Sequence, residues 1–144
     1  MALIALAACC LITPVAGKES TLEELKARLS SAAIGDRVHL CVQVAERQLA
    51  SATKMYETEE NEKARASLAD VIAFLELARD YSLQSRKHQK QTEISLRSMV
   101  RKLGDLKHAV PHDEQPAVQD AIDRLERVRD DLLLSMFPKG KGAK

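Results

Sequence analysis

A single hydrophobic register that runs through six consecutive heptads is the feature that most constrains how this chain can fold. Its members fall on alternating steps of three and four positions: Leu68, Val71, Leu75, Ala78, Ser82, Ser85, Gln89, Thr92, Leu96, Met99, Leu103, Leu106 and Val110. This spacing places all of them on one face of an α-helix, whereas a β-strand requires alternation with a period of two. The register therefore predicts an all-α fold with long helices, and it is also typical of a coiled coil.

The scarcity of helix-breaking residues supports the same fold class. Segment 18–137 contains glycine and proline only at Gly35, Gly104, Pro111 and Pro116. Alanine, leucine, glutamate, lysine, arginine and glutamine, which favour helices, dominate the rest. With 144 residues the chain is expected to form one domain, a helical bundle over residues 18–138.

The middle of the register is polar, and this leaves two layouts open. The polar members are Ser82, Ser85, Gln89 and Thr92. Because no glycine or proline lies among them, we favour one continuous central helix, about 70 Å long at 1.5 Å per residue. The fold is then an antiparallel bundle of three long helices, the first kinked near Gly35. The alternative is a break near residues 85–91, which gives a four-helix up-down bundle.

Local signals place the ends of the helices. Ser20 and Glu23 have the spacing of a capping box, so the first helix is expected to begin at Ser20. Pro111 is expected to end the central helix. Asp113 is the predicted N-cap of the last helix, and Pro116 then lies in its first turn, where a missing amide hydrogen costs little.

Charge is distributed unevenly along the second half of the chain. Residues 86–108 contain seven basic and two acidic side chains, which gives a net charge of +5. Residues 113–131 contain seven acidic and three basic side chains, which gives −4. The tight turn at Pro111 joins the two segments, so we expect them to pack as an antiparallel hairpin stabilised by complementary charges.

In such a hairpin, facing residues have numbers that sum to about 222. The predicted pairs are Lys90 with Asp131, Glu93 with Arg129, Arg97 with Glu126, and Arg101 with Asp120 or Asp123. Each exposed pair contributes only ~0–1 kcal/mol, so the pattern specifies register more than stability. The predicted interaction residues are Arg86, Lys90, Arg97 and Arg101.

The same basic stripe, residues 86–107, is the alternative binding surface for a polyanion such as nucleic acid or lipid headgroups. We favour pairing within the chain, because an acidic helix lies next to the stripe. Nucleic acid is not an expected partner, since aromatic residues make up only 3% of the chain and base stacking needs them.

No catalytic or cofactor-binding motif is found in the sequence. It has no Glu-x-x-His pair, no Cys-x-x-Cys-His site, no glycine-rich phosphate loop and no nucleophile elbow. We therefore expect no enzyme activity, no cofactor and no metal. His108, His112 and Asp113 are weak metal-ligand candidates, because Pro111 lies between the two histidines and disrupts their spacing on a helix.

The N-terminal segment has the composition of an export signal. Residues 1–17 are uncharged and mostly apolar, and small residues precede Lys18, as expected for a signal peptide of a periplasmic or secreted protein. Alternatively, Leu6-Ala7-Ala8-Cys9 resembles a lipobox, which would attach the protein to a membrane through a lipid on Cys9. The basic residue that normally begins a leader is missing, so a buried N-terminal helix of a cytoplasmic protein is a further alternative. Residues 139–144 are expected to form a disordered basic tail.

These features favour a non-enzymatic interaction or scaffold protein of a bacterial cell envelope. It is expected to bind a protein partner or to self-associate through apolar faces that a long central helix leaves uncovered. The alternatives are a ligand- or metal-binding bundle, which would use the polar core positions, and a polyanion-binding protein. Cys41, the one cysteine beyond residue 17, is expected to be a buried apolar residue, with an intermolecular disulfide as the alternative.

Overall fold

Residues 20–140, which the computed structural model describes, contain five α-helices and no strand. The helices are α1 (Leu22–Ser31), α2 (Ile34–Glu57), α3 (Asn61–Ser85), α4 (Gln89–Ala109) and α5 (Gln115–Met136). Helix accounts for 84% of the described residues, so the predicted all-α fold is confirmed, whereas the favoured count of three helices is wrong. The predicted leader and residues 141–144 of the predicted tail lie outside the described residues.

Helices α2 to α5 form a bundle that is built from two antiparallel hairpins. The α2–α3 and α4–α5 pairs have the most extensive packing, and α3 of the first hairpin packs against α5 of the second. On the other side of the bundle, α2 approaches α4 less closely. The short helix α1 packs against α2 on the outside, where Leu25 is buried with Leu40 and Val44.

The heptad register predicts the core correctly. All of its members are buried except Ser85 and Gln89, which are half-buried. They pack against α2 residues such as Val38 and Leu49 and against Val118, Leu125 and Leu132 of α5. The register is thus one face of α3 followed by one face of α4, and both faces point into the same core.

The central helix is not continuous, because the chain reverses at residues 86–88. Arg86 (φ 54°) and His88 (φ 61°) both adopt the left-handed conformation, which ends one helix and begins the next. The polar register positions stabilise this turn: Ser82 Oγ donates to the Lys87 carbonyl over 2.7 Å, and Ser85 Oγ accepts from the Lys87 amide over 3.3 Å. The favoured continuous helix is therefore wrong, and the alternative break near 85–91 has the correct position.

The predicted kink at Gly35 is instead a full break that precedes it. Ala32 and Ala33 have extended backbones, and Gly35 lies in the first turn of α2. Arg37 stabilises the break, because its guanidinium donates to the carbonyls of Ala32 and Ser30 over 2.9 and 3.3 Å. These hydrogen bonds satisfy carbonyl groups that the end of α1 leaves without helical partners.

Two predicted caps are shifted by one residue. The capping box at α1 consists of Thr21 and Glu24 rather than Ser20 and Glu23. At α5 the N-cap is Glu114 and not Asp113, while Pro116 lies in the first turn as predicted. The Glu114 side chain does not cap the helix, because it turns inward to accept hydrogen bonds from Arg65 at 3.0 Å and from the Tyr56 hydroxyl at 3.4 Å.

The predicted antiparallel hairpin of α4 and α5 is confirmed by contacts along its length. Gln89 donates to Ser135 near one end over 2.9 Å, and Lys107 donates to Gln119 near the other over 2.6 Å. Between them lies the predicted Glu93–Arg129 pair, at 2.7 Å, with the Glu93 side chain only 5% exposed. This buried carboxylate fixes the register of the two helices.

The other predicted ion pairs are wrong, because nearer partners compete for the same charges. Arg97 binds Glu93 one helical turn before it, at 2.7 Å, instead of Glu126. Asp131 binds Arg79 of α3 at 3.0 Å instead of Lys90. Asp120 binds Arg124 within α5, and Arg101 makes no ion pair with any described residue. Exposed pairs differ little in energy, so charge patterning alone does not select among them.

The Glu93 carboxylate makes the bundle sensitive to acid. The hydrogen bond from Arg129, followed by those from Arg97, outweighs the effect of burial and lowers the pKa of Glu93. A lowered folded-state pKa contributes stability above the unfolded-state pKa, and this contribution is lost as pH falls through the folded value. We expect Glu93→Gln to lower the free energy of unfolding at pH 7 by about 1 kcal/mol and to flatten its decline below about pH 4.5. Urea denaturation across this pH range measures both effects.

Glu126→Gln is the matched control, because Glu126 is exposed on α5 and makes no ion pair with a described residue. It should leave the pH dependence of unfolding unchanged. Parallel curves for wild type and Glu93→Gln would contradict the role assigned to Glu93.

Candidate functional site

The side of the bundle between α2 and α4 is open, and it forms what we call the α2–α4 groove. Its upper half, near the α4–α5 turn, has a volume of about 370 Å³. This half is lined by Glu46, Leu49, Ala50, Thr53, Met99, Lys102, Asp105, Leu106 and Ala109. Its floor is apolar, because Leu49, Met99 and Leu106 belong to the hydrophobic core.

The lower half of the groove, near the α3–α4 turn, is more polar and has a volume of about 250 Å³. Its residues are Val38, His39, Val42, Gln43, Glu46, His88, Gln91, Thr92 and Ser95. His39 Nε2 and Gln43 Nε2 lie 3.1 Å apart on α2 and share a hydrogen bond. The groove thus offers an apolar surface at one end and hydrogen-bonding groups at the other.

The groove follows from the way in which the two hairpins pack. Close contact between α3 and α5 brings the hairpins together on one side of the bundle, where Arg79 and Asp131 also join them. On the other side, the small exposed residues Ala50 and Ala109 stand where larger side chains would fill the space between α2 and α4. Helices with such positions are left with a surface that another helix can cover.

Two exposed carboxylates lie on the rim of the apolar half. Glu46 of α2 and Asp105 of α4 make no hydrogen bond or ion pair with any described residue. Lys102 is the one basic residue of this rim within the described part of the chain. The rim therefore has a net negative charge, which complements a basic partner.

The four predicted interaction residues do not form one site. Arg97 is held by Glu93, and Arg101 is exposed on α4. Arg86 and Lys90 instead line a shallow depression at the end of the bundle, together with Ile94 and Met136. The depression also includes His88, Gln89 and Gln91, and it contains no acidic residue.

Large apolar side chains are exposed near the same end of the bundle. Ile94 is 44% exposed, Leu134 52% and Phe137 71%. Together with Arg86 and Lys90 they give this end an apolar and basic character.

The weak metal candidates are not brought together into a binding site. His108 lies in the last turn of α4, and His112 and Asp113 lie in the turn that follows. Among residues 20–140 no group of three or more histidine, cysteine, aspartate or glutamate side chains is placed to hold a metal ion. The polar register positions do not line a pocket as a group either, because Ser82 and Ser85 bind the backbone of the α3–α4 turn.

The α2–α4 groove was not predicted from the sequence. The only local signal for it is a row of small or polar residues, Glu46, Ala50 and Thr53, beside the apolar stripe of α2. Such a row is typical of any solvent-exposed helix face, so it does not indicate a groove until the position of α4 is known.

The chain was compared with protein families, curated proteins and solved structures, and no match was found. None of the five described helices combines the length and the hydropathy that crossing a membrane requires. The function is therefore inferred from the fold and the groove alone.

Cys41 is buried, as predicted, and forms no disulfide. Burial raises the pKa of its thiol to about 11, against a smaller opposing effect of Arg37. At pH 8 the reactive thiolate is then at least about a hundredfold less populated than in an ordinary cysteine. With Cys9 and Cys10 replaced by serine, we expect Cys41 to react with Ellman's reagent only after denaturation.

A chain that also carries Ala50→Cys provides the control, because position 50 is exposed and should react at once. Rapid labelling of Cys41 in the native protein would contradict its burial. It would then favour the alternative interpretation, in which Cys41 forms an intermolecular disulfide.

Proposed function

We propose that this protein is a non-enzymatic binding module that holds one amphipathic helix of a partner protein in the α2–α4 groove. The observation that carries the proposal is the open side of the bundle, with an apolar floor formed by Leu49, Met99 and Leu106. Docking of an amphipathic helix into a groove between two helices is a common mode of peptide recognition.

The size of the groove sets the length of the partner helix. The α2 residues that line it extend from Val38 to Thr53, a rise of about 22 Å at 1.5 Å per residue. A helix of about four turns would cover this distance.

The chemistry of the two halves sets the character of that helix. One end should present leucine- or methionine-type side chains to the apolar floor, with lysine or arginine beside them for Glu46 and Asp105. The other end should present hydrogen-bonding side chains to His39, Gln43 and Ser95.

The sequence-based expectation of self-association rested on apolar faces that one long central helix would leave uncovered. In the monomer the chain reverses between α3 and α4, so these faces are covered within the bundle. The proposed interaction with a partner protein depends on the groove alone.

Site-specific photo-cross-linking tests the groove. A benzoylphenylalanine at position 50 or 109 should cross-link one partner in the cells that make this protein. The same residue at position 66 or 73, on exposed positions of α3, should not. The cross-linked segment of the partner, made as a peptide, should bind the purified protein and become helical on binding, as measured by titration calorimetry and circular dichroism.

Ala50→Glu should weaken peptide binding by at least about tenfold, because the bound peptide would bury the new carboxylate against its apolar face. Ala73→Glu, which adds the same charge elsewhere, should leave it unchanged. Equal cross-linking from positions 66 and 73, or no adduct with another protein from position 50 or 109, would overturn the proposal.

A second candidate function is association with an anionic lipid surface through the end of the bundle near the α3–α4 turn. It is favoured by Ile94, which is exposed beside Arg86 and Lys90 in a depression that contains no acidic residue, and by the exposed Phe137, which follows Met136 of that depression. Apolar side chains that enter the interface, combined with nearby cations, give salt-dependent binding to anionic membranes.

Sedimentation with vesicles of phosphatidylglycerol, compared with phosphatidylcholine, tests this candidate. We expect binding to the anionic vesicles only, weakened by salt, and reduced by about tenfold or more in Phe137→Ser, since the aromatic ring leaves water on binding. Leu77→Ser is the control, because Leu77 is exposed on α3 away from the depression. Equal binding to both vesicle types, or an equal effect of the two variants, would rule this function out.

A further inference from the structure

We infer that this chain forms a domain-swapped dimer, in which two copies exchange their α4–α5 hairpins. Residues 86–88 straighten, and the α4–α5 hairpin of each copy packs against α1–α3 of the other. The partner is therefore a second copy of the same chain. The inference rests on the strained turn and on the unbroken register, and it does not depend on what the groove binds.

The first observation is the conformation of the turn. Arg86 and His88 are both left-handed, a conformation that costs residues with a Cβ atom more than it costs glycine. Two such residues within three positions store strain in the only connection between the two hairpins. Short, strained connections favour exchange, because straightening them releases the strain.

The second observation is that the sequence fits a straight helix through the turn equally well. The heptad register continues from Ser82 and Ser85 to Gln89 and Thr92 without a change of frame, and no glycine or proline lies between them. Arg86, Lys87 and Gln89 also favour helices. If residues 86–88 became helical, α3 and α4 would form one helix over residues 61–109, about 70 Å long at 1.5 Å per residue.

The exchange preserves the interfaces of the bundle. The contacts of α3 with α5, including Arg79 with Asp131, and those of α2 with α4 would form between two chains instead of within one. The α4–α5 hairpin would remain intact, with its Glu93–Arg129 pair. Only the contacts of the turn itself would be lost.

The lost contacts are specific and few. Ser82 Oγ donates to the Lys87 carbonyl, and Ser85 Oγ accepts from the Lys87 amide. Lys87 also packs over Gly35, where a Cβ atom added to the glycine would lie 3.1 Å from Lys87 Cδ. These contacts stabilise the reversed conformation of the turn and oppose its strain. The equilibrium between the monomer and the exchanged dimer therefore depends on them.

Two variants and one control test the equilibrium between monomer and dimer. The dimer dissociation constant is measured by light scattering after refolding at high protein concentration. Arg86→Gly with His88→Gly relieves the strain and disfavours the straight helix, so the dimer dissociation constant should rise on the order of a thousandfold. Ser82→Ala removes a hydrogen bond of the turn and should lower that constant by about thirtyfold. Ser98→Ala, on an exposed position of α4, should leave it unchanged.

A distance within one chain separates exchange from side-by-side association. Spin labels at Ala66→Cys and His108→Cys, with Cys9 and Cys10 replaced by serine, report on the upper ends of α3 and α4. In the monomer both lie at the same end of the bundle, about 20 Å apart or less. In the exchanged dimer they lie 42 residues apart on one helix, at about 63 Å.

Labelled protein is refolded with an excess of unlabelled protein, so that each dimer contains at most one labelled chain. A dimer with the long distance is the expected result. A dimer that shows only the short distance would overturn the inference, and so would Ser82→Ala protein that is folded and remains monomeric at every concentration. If Ser82→Ala fails to fold, the wild type and the double-glycine variant, which stabilises the turn, still provide the comparison.

Discussion

The reversal of the chain at residues 86–88 is the constraint on which the rest of the bundle depends. A straight helix over residues 61–109 would spread its core side chains along about 70 Å, far beyond what α2 can cover. The reversal returns the second half of the register to the first, so that Leu75 and Leu96 enter one core. The α4–α5 hairpin can then pack through α5 against α3, and the buried Glu93 fixes its internal register.

The buried residues could be predicted from the sequence, because helical periodicity is a local property that persists whatever the helix packs against. The reversal could not, since Arg86 does not indicate a left-handed turn, and the preference of a single histidine such as His88 for this conformation does not locate one. A single register also fits both outcomes: its two halves face the same core whether the helix is straight in a dimer or folded back in a monomer. Tertiary contacts, among them the serine hydroxyls at Lys87, decide between them.

Among the charged residues and the groove, too, some features could be predicted from the sequence and others could not. Glu93 and Arg129 could be paired from the hairpin register and charge together, because the register places the one acidic side chain in this part of a basic helix opposite an arginine of an acidic helix. Arg97 and Asp131 could not be assigned, because exposed side chains exchange partners at a cost of under about 1 kcal/mol. The α2–α4 groove depends on the distance between two helices that are not adjacent in sequence, so no local pattern in α2 or α4 indicates it.

The groove and the turn are physically linked, because His88 belongs to both. A helix bound in the groove contacts α2 and α4 together, which lie in one chain in the monomer and in two chains in an exchanged dimer. A ligand that binds both forms equally shifts no equilibrium between them, however tightly it binds. The apolar half, with Leu49 and Leu106, is the same in both forms, so only contacts near His88 can distinguish them. The polar end of the groove is therefore where binding of a partner and exchange between copies would be coupled.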